Sequence, residues 1–149
     1  MRFLSEKEET AMADRVRKIS YCYLTVPSRA GQGAGILAEI RNAGINMLGF
    51  SGFPGPSRKA QLDFVLENMA PMRRLASKHG WRLSKVKKGF LVQGQDVPGA
   101  VHRHVQKLAD AKINITAADA VAAGKGRYGM LLWVKKKDYN RAAKTLRAK

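Results

Sequence analysis

One segment of this chain occurs twice, 68 residues apart. In the second occurrence Asp96-Val97-Pro98-Gly99 opens a helical pattern that ends at Ile113-Asn114-Ile115. In the first, Ser28 stands in place of Asp96, Ala30 in place of Pro98 and Gly31 in place of Gly99. Leu37, Ile40, Ala43, Ile45 and Asn46 then fall under Val105, Leu108, Ala111, Ile113 and Asn114. A β-like run precedes each copy, Ile19 to Val26 and Phe90 to Gly94. A strand, a tight turn and a helix start leave backbone N–H groups pointing at whatever sits above them. This end of each copy is therefore the expected functional end.

A 68-residue period is too long for the common solenoid repeats, so the pattern reads as a duplicated domain. The expected organisation is an N-terminal extension over residues 1–18, a first domain over 19–88 and a second over 89–149. Domains this small bury only about 60% of their unfolded surface, so the copies are expected to pack together or on another chain. Ser5-Glu6-Lys7-Glu8 has the form of a capping box, and Met12, Val16 and Ile19 follow at helical spacing. A short helix from about Glu6 to Arg17 is expected.

In the first copy the strands are expected at Ile19 to Val26, Asn46 to Phe53, Ala60 to Leu66 and Trp81 to Val86. The helices are expected at Gly31 to Ala43 and from Pro71 to about Lys78. The second copy repeats this order, with strands at Phe90 to Gly94, Asn114 to Val121 and Gly129 to Val134, and helices at Pro98 to Ala111 and Tyr139 to Arg147. That is an α+β plan of two ferredoxin-like βαββαβ modules in tandem, helices on one face of an antiparallel sheet, the second copy lacking its last strand. The missing strand leaves a sheet edge that something should cover.

No apolar run approaches the ~18 residues of a membrane span, and the charged start of the chain carries no signal-peptide pattern. Cys22 is the lone cysteine, which with those points favours the cytoplasm. The net charge is +17 and uneven: Met1 to Met69 holds 9 Lys+Arg and 7 Asp+Glu, whereas Ala70 to Lys149 holds 19 and 4. Such asymmetry suits an anionic partner, although Lys135-Lys136-Lys137 by itself reads as a solvated strand end that resists aggregation. Gly31-Gln32-Gly33-Ala34-Gly35 fails the dinucleotide fingerprint, since Ile36 takes the place of the third glycine, and it lacks the Gly-Lys-Ser/Thr of a P-loop. His102 and His104, two apart on a helix, face different ways and make poor joint metal ligands. No catalytic triad, Cys/His cluster or close carboxylate pair is legible, and no cofactor and no metal is expected.

The strand, the Asp-x-Pro-Gly turn and the helix ending in Lys112-Ile113-Asn114 resemble the ACT domain. The first copy carries Ser28, Ala30 and Gly31 with Gly44-Ile45-Asn46, so the resemblance runs from about Ile19 to Leu146 as a tandem pair. It implies a regulatory module that pairs side by side with others and binds an amino acid or similar small molecule near the first strand-to-helix loop. No catalytic domain is legible, so a regulated enzyme would be a separate chain. The expected site comprises Asp96, Val97, Pro98, Gly99 and Asn114 in the second copy, and Ser28, Ala30, Gly31 and Asn46 in the first. The chemistry of those residues agrees: Pro98 is pre-set for a helix start and pushes Val97 to an extended shape. Gly99 leaves first-turn N–H groups open to a carboxylate, Asp96 can answer an ammonium, and the Asn114 amide is expected at the same end of the sheet. A homodimer is the expected assembly. RNA-recognition modules share the topology and are the alternative, but each third strand here offers one aromatic where stacking needs more. Nucleic-acid contact is accordingly expected to be weak and non-specific.

Overall fold

A computed structural model describes Phe3, Ser5 and residues 13–149. The chain forms β1 (Arg15–Pro27), α1 (Gln32–Asn42), β2 (Gly49–Pro54), β3 (Lys59–Leu66), α2 (Ala70–His79), β4 (Lys87–Gln95), α3 (Ala100–Asp110), β5 (Ile115–Gly124), β6 (Arg127–Val134) and α4 (Tyr139–Leu146). A 3-10 turn, Lys136–Asp138, leads into α4. The elements divide into two compact units: Ile19–Lys87, and Lys88–Lys149 together with residues 13–18.

In the first unit the antiparallel strands lie in the order β2-β3-β1. Cys22 pairs with Phe64 and Leu24 with Leu62, so the alternate residues of both strands share one face. That face meets Ile40 of α1 and Met72 and Leu75 of α2 in one apolar core. In the second unit the order is β4-β6-β5. Phe90 pairs with Leu132 and Val92 with Met130, and these side chains join Leu108 of α3 and Ala142 and Leu146 of α4.

The repeat extends to individual backbone hydrogen bonds. The Ser28 N–H donates to the Arg58 carbonyl and the Asp96 N–H to the Gly126 carbonyl, both at 2.9 Å. Gln32 donates to Arg29 as Ala100 donates to Val97, and Ile45 donates to Ile40 as Ile113 donates to Leu108. All these pairs keep the 68-residue offset. Past the last helix of each copy the offset is 67, where Trp81 donates to Ala76 and Ala148 to Ala143.

Two expected elements differ. Trp81 to Val86 forms no regular strand. The Tyr23 N–H donates to the Ser84 side-chain oxygen at 2.8 Å, so a hydroxyl takes the donor that a ladder carbonyl would have used. The helix expected from Glu6 to Arg17 lies largely outside the described residues; its last three, Arg15 to Arg17, open β1 instead. Val16 and Ile19 fit a helical spacing, but both are β-branched and suit the pleated surface as well.

That strand start answers the open edge of the second copy. Val16 is buried in the core that holds Phe90 and Val92. Its carbonyl accepts from the Lys149 N–H at 3.1 Å, and the Lys149 carbonyl accepts from Lys18 at 2.9 Å. Residues 14–18 thus pack into the second unit, with β1 beside β4.

Candidate ligand cleft

The turn after β4 folds as its residues dictate. The Val97 carbonyl accepts from Ala100 at 3.1 Å, closing the turn around Pro98, and Gly99 adopts φ 82° as the N-cap of α3. A left-handed φ there is open to glycine at little cost. Gly31 does the same before α1, at φ 89°. Neither helix has a side-chain cap. Asp96 is therefore not a cap: it is exposed, and among the described residues its carboxylate has no hydrogen-bond or ion-pair partner.

Asp96, Val97 and Gly99, with Ala100, Val101 and His102 of the first helical turn, form one side of an open cleft of about 360 Å³. Ala120, Val121 and Ala122 of β5 form the other side, and Tyr128 of β6 completes it. The small side chains of β5 keep the cleft wide. The uncapped helix start offers N–H donors and the positive end of the helix dipole to an anion. The same cleft carries a free carboxylate for a cation.

Asn114 does not belong to this arrangement. β4 and β5 each pair antiparallel with β6, so they run the same way and their starts lie together. Ile115 pairs with Val134 while Ala122 pairs with Tyr128, which sets Asn114 at the sheet end remote from the cleft. From Asn114 to Val121 the strand spans roughly 23 Å at ~3.3 Å per residue. Asn46 is likewise remote from Ser28, Ala30 and Gly31, because β1 and β2 both run antiparallel to β3. At the first-copy turn Ser28, Ala30 and Gly31 are exposed. At the 68-residue offset Ala60 takes the place of Tyr128, and Gly52, Phe53 and Pro54 take the places of Ala120, Val121 and Ala122.

Tyr128 connects the cleft to a buried polar group that the sequence pattern did not reveal. Its hydroxyl donates to Asp14 Oδ2 at 2.6 Å and lies 3.2 Å from the Ala100 carbonyl. His104 Nε2 stands 2.5 Å from the same Asp14 oxygen, and Arg103 donates to Asp14 Oδ1 at 3.3 Å. The Asp14 and His104 side chains are only 5% and 4% exposed, so no substrate reaches them. Burial, then the bond to Asp14, pushes the Tyr128 hydroxyl pKa well above its ordinary 10.0. Among the described residues His104 Nδ1 is buried without a partner, which fits a ring whose proton sits on Nε2, facing Asp14. Gly94 makes room for this group, since a Cβ there would collide with the Asp14 carboxylate. A glycine inside a strand is the one sequence signal that marks such a close approach. Among the described residues no group of His, Cys, Asp and Glu is placed to hold a metal ion, and no helix is long and apolar enough to cross a membrane.

No protein-family model matches the chain. No curated protein matches it either. Solved structures do. Protein BT0572 from Bacteroides thetaiotaomicron superposes with a TM-score of 0.74 at 11% identity, over 90% of this chain and 88% of that one. The regulatory subunit of aspartate kinase from Thermus flavus gives 0.57 at 15%, over 91% and 94%. Aspartokinase III of E. coli, in complex with aspartate and ADP, gives 0.50 at 15%, over 90% of this chain and 32% of that one. The chain has the fold of an aspartate kinase regulatory subunit. At these identities the likeness is one of fold: paired ferredoxin-like modules of the ACT-like kind. The RNA-recognition alternative gains nothing from the sheet, because Phe64 and Trp133, the third-strand aromatics, are 0% and 6% exposed and offer no stacking surface.

Proposed function

We propose that this chain is a non-catalytic regulatory protein whose second unit binds an amino acid in the cleft at Asp96–Gly99. One observation carries the reading: an uncapped helix start and an unpartnered carboxylate line the same cleft. An α-amino acid presents a carboxylate and an ammonium a few ångströms apart, and each would find its counter-charge there. The fold shared with aspartate kinase regulatory subunits supports the regulatory role, and the aspartate in one of those structures makes aspartate the first ligand to try. The first copy lacks the carboxylate and the tyrosine, so the second copy is the site we assign. We place the protein in the cytoplasm on the strength of the lone buried Cys22.

A thermal-shift screen of the free amino acids tests this. A ligand at a hundredfold excess over its Kd raises the stability of the native state by about 2.7 kcal/mol. Asp96→Asn should weaken that ligand's binding and leave the melting temperature of the free protein unchanged. Equal titration curves for the two proteins would remove Asp96 from the site. An absence of any shift across the screen would remove the amino-acid reading.

A further inference from the structure

The end of the second unit remote from the cleft gathers cations. The pairing of Phe90 with Leu132 and of Ile115 with Val134 brings Lys88, Lys112 and Lys135 to that end. Lys136 and Lys137 follow in the 3-10 turn. Arg141 fastens the group, donating to the Ala111 carbonyl at 2.7 Å and to Asp138 at 3.2 Å. Lys88 Nζ lies 5.5 Å from the Tyr139 ring centroid. All five lysines are exposed. Among the described residues two carboxylates stand with these six cations: Asp138, paired with Arg141, and Asp110, which accepts from Gln106. Like charges gathered at one end of a sheet repel one another and burden the fold, unless a polyanion spends part of its time among them.

We propose that this end of the second unit binds the phosphate backbone of duplex nucleic acid without reading its sequence. The choice of partner follows from what the surface lacks. A protein interface needs a desolvated centre with aromatic or aliphatic anchors. The aromatic here, Tyr139, is 8% exposed and lies beneath Lys88. Single strands are gripped by stacking bases on exposed rings, whereas the ring beside these lysines, Tyr139, is buried. Lysine point charges suit regularly spaced phosphates and carry no base readout.

Fluorescence anisotropy of a labelled mixed-sequence DNA duplex, titrated from about 50 to about 200 mM salt, tests the proposal. The wild type should bind with a log–log salt slope near −5, about −0.9 for each of some six phosphates. Changing Lys135, Lys136 and Lys137 together to Gln should cut affinity at least tenfold and flatten the slope by about 2.7. Changing Arg73, Arg74 and Lys78 to Gln removes the same charge from the exposed face of α2 and should leave both within about twofold. Equal losses in the two variants would reduce the effect to net charge and overturn the assignment. So would no binding at the lowest salt, or tighter binding of a single strand of equal length. Polyglutamate that competes as well as the duplex, charge for charge, would point to an acidic protein instead and also overturn it.

Discussion

Removing the Asp14 carboxylate should unfold the second unit far more readily than any nearby surface change. The carboxylate serves two buried donors, His104 Nε2 and the Tyr128 hydroxyl, and the exposed Arg103. Tyr128 retains the Ala100 carbonyl at 3.2 Å, so its loss is partial. His104 retains nothing: its other nitrogen is already without a partner. Leaving a buried donor without its acceptor costs about 1–3 kcal/mol, and with the Tyr128 loss only partial Asp14→Ala should cost about 3 kcal/mol. Arg103 is 43% exposed and adds less than about 1 kcal/mol. Gly94→Ala attacks the same group from below, because its methyl would take the space of the carboxylate. It should cost about 2–3 kcal/mol despite the small entropic gain of replacing a strand glycine. The decisive measurement is the double mutant. With Asp14 already alanine the methyl meets no carboxylate, so Gly94→Ala should then be nearly neutral, a coupling of about 2 kcal/mol or more. Urea unfolding followed by Trp133 in a Trp81→Phe background reads the second unit alone. Additive costs in the cycle would mean that Asp14 does not lie over Gly94, and the reasoning would fail.

Three further outcomes are expected. Gly31→Ala forces an L-residue to φ 89° and should cost about 1–2 kcal/mol, whereas Gly33→Ala and Gly35→Ala have room for a Cβ in helical backbone and should each stabilise by about 0.5–1 kcal/mol; denaturant midpoints separate the two cases. Cys22 is 0% exposed and burial pushes its thiol from 9.0 up to about 11, so the native protein should resist thiol reagents at pH 8. Because the fold favours the neutral thiol, that contribution is complete below pH 9, fades as pH rises toward 11, and should vanish from the pH–stability curve of Cys22→Ala. A homodimer should be seen by light scattering at micromolar concentration, since β5 is an edge strand exposed over nearly its whole length, with Val121 70% exposed; a clean monomer would refute it.

The parts of this fold that could be read from the residues are those set by short-range chemistry. Gly31 and Gly99 each begin a helix, Gly44-Ile45 and Lys112-Ile113 each end one, and the equal spacing of those signals defines the two modules before any coordinate is known. What escaped depends on pairing across long stretches of chain. The 3.6-residue and 2-residue periods cannot be told apart from Val16 and Ile19 alone, so the start of β1 passed for a helix. Asp14 lies 90 residues from His104 and 114 from Tyr128, and no local pattern joins them.

Asn114 shows the same limit inside the expected site. Its position after the helix is legible, and so is its recurrence as Asn46. Which end of the sheet it reaches is not a property of the segment but of β6, the strand inserted between β4 and β5. A helix that leaves one strand and enters a parallel one returns the chain to the end where the first strand began. The loop before the helix and the loop after it therefore lie at opposite ends. A ligand held at Asp96 cannot also touch Asn114 of the same copy, so Asn114→Ala should leave amino-acid binding at the cleft unchanged. Weakened binding in that variant, with its melting temperature unchanged, would contradict this placement of Asn114.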